Sequence, residues 1–177
     1  MPELWDLYNS LGEPLSEICE RGYPLPDGKY HLVADVLPVN RDGRILITKR
    51  HPKKTYGGMW ETTGGAVLSG EIALEGAARE LYEETGLRAQ PEELEYRGEI
   101  VRQGKHGGNT IHKFYLYRGA FSEADVRLQE GETVDFRLCT PEEIKAMTER
   151  GEFIPHVYER NRAMYPDETA ENKGETK

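Results

Sequence analysis

The sequence is poor in cysteine and contains no long apolar run. Cysteine accounts for only 2 of the 177 residues, and Cys19 and Cys139 lie too far apart to form the disulfide framework of a small secreted domain. No apolar run approaches the ~20 residues that cross a bilayer, and residues 1–10 lack the basic and apolar regions of a signal peptide. We therefore expect a cytoplasmic protein with no membrane span.

Positive charge is also scarce. Lysine and arginine number 23 against 32 aspartates and glutamates, which gives a formal net charge of −9. Such a surplus of negative charge repels a polyphosphate backbone, so we expect no stable binding of nucleic acid. A small anionic substrate remains compatible with this charge if a cation mediates its binding.

The length fits one domain with a hydrophobic core of its own. Neither an internal repeat nor a linker divides the sequence. Residues 166–177 are charged and lack large apolar side chains, which predicts a disordered tail. We expect an N-terminal extension at 1–29 that packs on a single domain at 30–165.

Local patterns predict an α/β fold. Strands are predicted at 4–8, 31–39, 45–50, 94–102, 110–118 and 134–139, with a hairpin turn at 40–43. Helices are predicted at 71–85, 140–147 and 154–164. Irregular chain is expected at 14–28, a glycine-rich turn at 62–69 and a flexible tip at 104–109. Strands interrupted by helices in this way favour an α/β sandwich with a mixed sheet.

The helix predicted from Glu71 has an apolar face and an acidic face. Its apolar stripe comprises Leu74, Ala77, Ala78, Leu81 and Thr85, and Gly86 is the expected stop signal. Glu80, Glu83 and Glu84 lie on an arc of roughly 100° away from that stripe, so their carboxylates share one patch. Glu83 and Glu84 also oppose the helix dipole, at roughly 0.3–1 kcal/mol each, with no cation at i+4. This unfavourable arrangement indicates a bound divalent cation.

The segment around this helix matches a longer pattern. Residues 65–87 read GAVLSGEIALEGAARELYEETGL and fit Gly-x5-Glu-x7-Arg-Glu-U-x-Glu-Glu-x-Gly-U, where U is apolar, at every specified position. This pattern resembles the Nudix box, the signature of the Nudix hydrolases. The resemblance extends over residues 30–147, and it implies that 30–165 is a Nudix-type αβα sandwich with a mixed β-sheet.

The resemblance also implies an activity. Nudix hydrolases cleave a diphosphate linked to another moiety, usually a nucleoside, with Mg²⁺ or Mn²⁺. Carried over by position, the expected metal ligands are Glu80, Glu83 and Glu84, together with the backbone carbonyl of Gly65. Arg79 and Glu71 match the structural pair of the box, and Arg79 can also steer Glu83.

Further residues are candidates outside the box. The general base that activates water is either a box glutamate or one of Glu130 and Glu132, which precede the last strand. The substrate-binding candidates are Arg50, Lys53 and Lys54 in the dense basic patch, and Trp60, which could stack on a base. We expect His31 and His112 to be packed polar residues.

Two other functions are compatible with parts of the sequence. The N-terminal segment loosely resembles the isopentenyl-diphosphate isomerase-like branch, but that chemistry would require a cysteine in the turn at 62–69, which has none. A non-catalytic sensor of nucleotide diphosphates is the other alternative, although it would not need every metal carboxylate. The leaving group stays open, and so does the formation of a homodimer.

Overall fold

A computed structural model of the protein describes residues 2–104 and 108–165. The centre of the tip predicted at 104–109 and the tail predicted at 166–177 therefore lie outside the described residues. The strands are β1 (Leu4–Tyr8), β2 (Pro14–Glu20), β3 (His31–Val39), β4 (Ile45–Arg50), β5 (Trp60–Glu61), β6 (Gly64–Ala66), β7 (Leu94–Arg102), β8 (Thr110–Arg118) and β9 (Thr133–Cys139). The helices are α1 (Ala73–Thr85), α2 (Pro141–Glu149) and α3 (Pro155–Asn161).

Seven strands form a mixed sheet. Its main order is β5-β4-β3-β8-β7, with β6 beside β3 and β9 beside β4. The central pair, β3 and β8, is parallel, and the other pairs are antiparallel. β1 and β2 form a separate antiparallel hairpin. The mixed α/β sheet predicted from the sequence is confirmed.

Side chains alternate between the two faces of the sheet and build one core on each. Ala34 and Val36 of β3 pack with Leu81 of α1 on one face. Leu37 and Val39 point to the other face, where they join a cluster with Ile144 of α2. This period of two is the expected geometry of a strand buried on both sides. Helices therefore cover both faces, which gives the predicted αβα layering.

Two local predictions are wrong. Pro14–Glu20 is not irregular, because it pairs with β1 as an exposed ribbon, where a proline at the first strand position is tolerated. Part of the predicted turn at 62–69 forms β6, which pairs with β3. The predicted hairpin turn at 40–43 is confirmed, since β3 and β4 pair antiparallel at Val39 and Ile45. Further along β3, the edge is paired with β6 instead.

Among the described residues, no helix is long and apolar enough to span a bilayer.

The end of α1 is fixed by Gly86. Its φ of 76° is left-handed, and its N–H donates to the carbonyl of Tyr82 at 2.8 Å. A Cβ at this position would lie 2.8 Å from the Cβ of Arg127. Glycine is therefore required at position 86 for two reasons. The backbone is left-handed there, and the chain that precedes β9 passes too close to leave room for a side chain.

We expect Gly86→Ala to destabilise the fold more than Gly131→Ala. Both glycines have positive φ, but a Cβ on Gly131 would meet open space. Each change should lower the free energy of unfolding by roughly 1–2 kcal/mol for the left-handed backbone, and Gly86→Ala should lose about 1–3 kcal/mol more through the clash with Arg127. Urea denaturation of both variants measures the difference, and equal losses would contradict the steric argument.

Candidate metal and substrate cleft

The box glutamates line one cleft of about 370 Å³ between α1, β6 and the loops around them. Its lining carries both signs of charge in nearly equal number. Five of its residues are glutamates, namely Glu3, Glu80, Glu83, Glu84 and Glu132. Four are cationic, namely Arg21, Arg50, Lys54 and Arg79. Such a lining offers oxygen ligands for a cation beside positive groups for an anion.

Gly65 lies against the carboxylate of Glu80. A Cβ at this position would overlap the carboxyl group of Glu80, so a larger residue would displace one of the two. Because Gly65 lies in β6, which pairs with β3, its backbone is fixed by the sheet. The structure thus brings the predicted backbone ligand and a predicted carboxylate ligand together.

Arg79 joins the separate parts of the box. Its Nε and Nη2 donate to the two oxygens of Glu71 at 2.8 and 3.0 Å. Its Nη1 donates to Glu80 at 2.7 Å and to Glu83 at 3.0 Å, and Nη2 also donates to the carbonyl of Ala66 at 2.9 Å. The expectation that the three box glutamates repel one another without compensation is therefore wrong for Glu80 and Glu83.

Glu84 keeps the unfavourable environment that the sequence predicted. Its side chain is turned inward, and the residue is only 8% exposed. It accepts a hydrogen bond from the N–H of Gly64 at 3.3 Å, but it has no ion pair within the part of the chain that the structure describes. Burial raises the pKa of Glu84 well above its ordinary value, and the carboxylates of Glu61 and Glu80 raise it further.

The oxygen ligands that the cleft offers are chemically suited to a divalent cation. Carboxylate and carbonyl oxygens are the ligands that Mg²⁺ and Mn²⁺ prefer. In residues 2–104 and 108–165, no three acidic, histidine or cysteine side chains already enclose an ion position. Glu80 and Glu83 are instead paired with Arg79. A cation would supply the positive charge that the buried Glu84 lacks.

The predicted substrate-binding residues divide into two groups. Arg50 and Lys54 line the cleft, whereas Lys53 is exposed and lies outside its lining. Trp60 does not reach the cleft: it is 3% exposed in the core beneath α2 and α3, and the guanidinium of Arg137 lies 4.6 Å from its ring centre. The expectation that Trp60 stacks on a base is therefore wrong, because its side chain packs in the core and does not line the cleft.

The two candidates for a general base outside the box are also separated. Glu132 lines the cleft and forms an ion pair with Lys54. Glu130 is exposed and is not among the residues that line the cleft. Of the candidates for a general base, Glu132 and the glutamates of α1 therefore line the cleft, whereas Glu130 does not.

The two predicted polar histidines are packed, as expected. His112 Nδ1 lies 2.6 Å from a carboxylate oxygen of Asp35, and Arg160 donates to the other oxygen at 2.7 Å. Hydrogen bonds and positive charge from these two partners lower the pKa of Asp35 despite its burial. This network lies under a second cleft of about 380 Å³, which adjoins the first because Arg50 lines both. The ring of His31 stacks on Trp5.

Sequence reasoning missed the residues that the N-terminal hairpin adds. Glu3, Trp5 and Arg21 line the cleft although they lie far from the box in sequence. No local pattern in this segment indicates such a role, because the contact depends on where β1 and β2 pack. Neither cysteine lines the cleft: Cys139 is buried in the core, and Cys19 lies on β2.

Comparison with known proteins identifies relatives of this chain. The profile of the NUDIX domain matches residues 29–158. An uncharacterised Nudix hydrolase of Listeria monocytogenes is 31% identical over 158 residues, which cover 88% of this chain and 90% of that protein. The CTP pyrophosphohydrolase of Escherichia coli is 33% identical over 107 residues, covering 59% of this chain and 73% of that protein.

A solved structure shows the same fold. The crystal structure of DR0079 from Deinococcus radiodurans superposes with a TM-score of 0.72 at 23% identity. The superposition covers 93% of this chain and 100% of that one.

We expect Glu83→Gln and Glu84→Gln to change stability in opposite directions without metal. Glu83→Gln weakens an exposed ion pair with Arg79, so the free energy of unfolding should fall by a few tenths of a kcal/mol. Glu84→Gln removes a buried charge while its amide oxygen can still accept from Gly64, so stability should rise by on the order of 1 kcal/mol. Thermal melts in EDTA measure both effects.

The gain for Glu84→Gln should depend on pH. A carboxyl group whose pKa is raised on folding opposes folding once the pH exceeds its unfolded value of about 4.3. The gain should therefore be larger at pH 8 than at pH 5. A Glu84→Gln protein that melts below wild type at pH 8 would show that the buried carboxylate is not destabilising.

Proposed function

The chain belongs to the Nudix hydrolase family, and we propose that it cleaves the diphosphate linkage of a nucleoside diphosphate joined to another moiety, with water as the attacking group and a divalent cation bound to the box glutamates. Its reaction class is hydrolysis of a phosphoanhydride bond. The proposed partner is thus a small molecule, and the proposed cation is Mg²⁺ or Mn²⁺.

One observation carries this proposal: the box carboxylates and the cations Arg50 and Lys54 face the same cleft. A diphosphate repels an approaching nucleophile until its charge is neutralised. Arg50 is held by Glu61 at 2.5 Å, and Lys54 by Glu132. Both cations are therefore positioned before substrate binds, which reduces the entropy lost on binding.

The metal-binding residues follow from the same geometry. Glu84 and Glu80 extend from the cleft-facing side of α1, and Gly65 presents its backbone beside them. A bound divalent cation supplies charge neutralisation and a more acidic water in this chemistry. Arg79 keeps Glu80 and Glu83 in the cleft, while Glu71 holds the opposite side of the guanidinium. A proton from water can pass to Glu132 or to a box glutamate.

The alternatives are less well supported. Isomerisation of isopentenyl diphosphate would use a cysteine at the turn before α1, and among the described residues that line the cleft there is none. A sensor without turnover would have no requirement for a buried, unpaired carboxylate such as Glu84, which lowers the stability of the fold. The isomerase predicts a product different from those of hydrolysis, and the sensor predicts none.

We expect the protein to convert a member of a nucleoside-diphosphate panel into two phosphate-bearing fragments. The panel includes ADP-ribose, a dinucleotide polyphosphate, an oxidised nucleoside triphosphate, a CDP-linked metabolite and coenzyme A, each incubated with Mg²⁺ in H₂¹⁸O. Because water attacks phosphorus, one fragment should carry ¹⁸O by mass spectrometry. Conversion of isopentenyl to dimethylallyl diphosphate without cleavage would support the isomerase instead, and ligand binding without any product would support the sensor.

Turnover should require the cation and Glu84. Removal of Mg²⁺ and Mn²⁺ by EDTA should abolish activity, and Glu84→Gln should lower kcat by on the order of 10² or more, because it removes an anchoring charge of the metal. Glu149→Gln is the matched control, since Glu149 is an exposed residue of α2 outside the cleft lining. Turnover at the wild-type rate by Glu84→Gln would show that the metal is bound elsewhere.

A further inference from the structure

The N-terminal hairpin contributes to the cleft although it lies outside the family match. The NUDIX domain profile begins at residue 29, whereas β1 and β2 span residues 4–20. The start of β1 and the residue after β2 meet at the cleft, where Glu3, Trp5 and Arg21 form part of its lining. The wall that the hairpin adds to the cleft therefore lies outside the residues that the family profile matches.

The hairpin is fixed to the loop that precedes α1. The carboxylate of Asp6 accepts hydrogen bonds from the Ser69 hydroxyl at 2.6 Å and from the Gly70 N–H at 2.9 Å. The backbone N–H of Ser69 donates to the carbonyl of Leu4 at 2.7 Å. These residues lie between Gly65 and Glu71 of the box, so the hairpin is joined to the box itself.

A second attachment joins the hairpin to the sheet. Tyr8 and Tyr30 exchange two backbone hydrogen bonds of 2.8 and 2.9 Å. The rings of Trp5 and His31 stack with their centres 4.1 Å apart and an interplanar angle of 10°. With attachments to both the box loop and β3, the hairpin has a fixed position relative to the cleft.

Arg21 is the cation that this wall brings to the cleft. Its Nη1 lies 2.6 Å from a carboxylate oxygen of Glu3, and its backbone N–H donates to the carbonyl of Glu3. The side chain is 58% exposed, so it is accessible to a ligand in the cleft. Two further cations, Arg50 and Lys54, line the same cleft.

We propose that Arg21 binds a phosphate group of the substrate. The hydrogen bonds from Ser69 and Gly70 to Asp6, here called the Asp6 clamp, hold the hairpin, and with it Arg21, in position for this contact. The proposal rests on the proposed function, because it assigns Arg21 to a phosphate of the same diphosphate. Guanidinium binds phosphate through two parallel hydrogen bonds, which an ammonium group does not provide. Arg21 is thereby a substrate-binding residue, and Asp6 is a positioning residue.

The electrostatics of the cleft support this assignment. The pKa of Lys54 is lowered, mainly by burial and by Arg50, and Arg21 also contributes. Arg21 is therefore close enough to Lys54 for their positive charges to repel each other. A phosphate bound among these cations would relieve their mutual repulsion.

The test compares Arg21→Ala with two other variants on the substrate found by the panel. We expect Arg21→Ala to raise KM about tenfold or more, as loss of a hydrogen bond between charged groups does, with kcat within about twofold of wild type. Arg21→Lys should recover only part of that loss. Arg97→Ala is the control, since Arg97 forms a similar exposed pair with Glu95 at 2.8 Å outside the cleft lining.

A role confined to the hairpin would give a different result. If Arg21 served only to pair with Glu3, Glu3→Gln would raise KM as much as Arg21→Ala does, and both variants would lower the melting temperature together. We expect instead that Glu3→Gln raises KM less than Arg21→Ala. Asp6→Asn, which weakens the clamp, should raise KM while Arg21 is still present. Wild-type KM for Arg21→Ala would overturn the proposal.

Binding of inorganic pyrophosphate separates this proposal from the proposed function. In calorimetry with Mg²⁺, Arg21→Ala should weaken the Kd for pyrophosphate by about tenfold. If no compound is hydrolysed but this loss is seen, the hydrolase proposal fails and the Arg21 site stands. If hydrolysis occurs and Arg21→Ala changes neither KM nor Kd, only the Arg21 proposal fails. Wild-type protein that neither hydrolyses a diphosphate nor binds pyrophosphate would overturn both.

Discussion

The cleft depends on one guanidinium group. Arg79 forms ion pairs with Glu71, Glu80 and Glu83 and donates to the carbonyl of Ala66. It thereby links the loop before α1, the helix itself and β6, three segments that would otherwise be joined only through the backbone. Two carboxylates are kept side by side on a helix because this single cation lies between them. Any cation that binds Glu80 and Glu83 therefore competes with Arg79 for their oxygens.

Glu84 shows the opposite arrangement on the same helix. Arg79 does not reach it, burial raises its pKa, and the nearby carboxylates add to the effect. A buried carboxylate without a cationic partner is unfavourable for folding, and such groups are concentrated at functional sites. Stability and metal binding therefore place conflicting demands on this position, and the hydrogen bond from Gly64 is a small compensation.

Local patterns in the sequence predicted the central elements and the box. β3 matches its predicted range because β-branched and apolar residues fill it, and Gly86 ends α1 because only a left-handed residue fits there. β6 escaped prediction because its three residues become a strand only through pairing with β3. Arg21 escaped for the same reason, because its place in the cleft depends on packing between segments that are distant in sequence. The sequence thus predicted the part of the cleft that carries the box glutamates and missed the part that the N-terminal hairpin adds.

The parallel pairing of β3 with β8 has a consequence for how the protein folds. These two strands lie at the centre of the sheet, yet the whole box, α1 and the four strands β4 to β7 are placed between them in the chain. Closing so long a connection loses much chain entropy before the central pair can form, which slows folding. During synthesis, the cleft cannot be complete until β8 has left the ribosome.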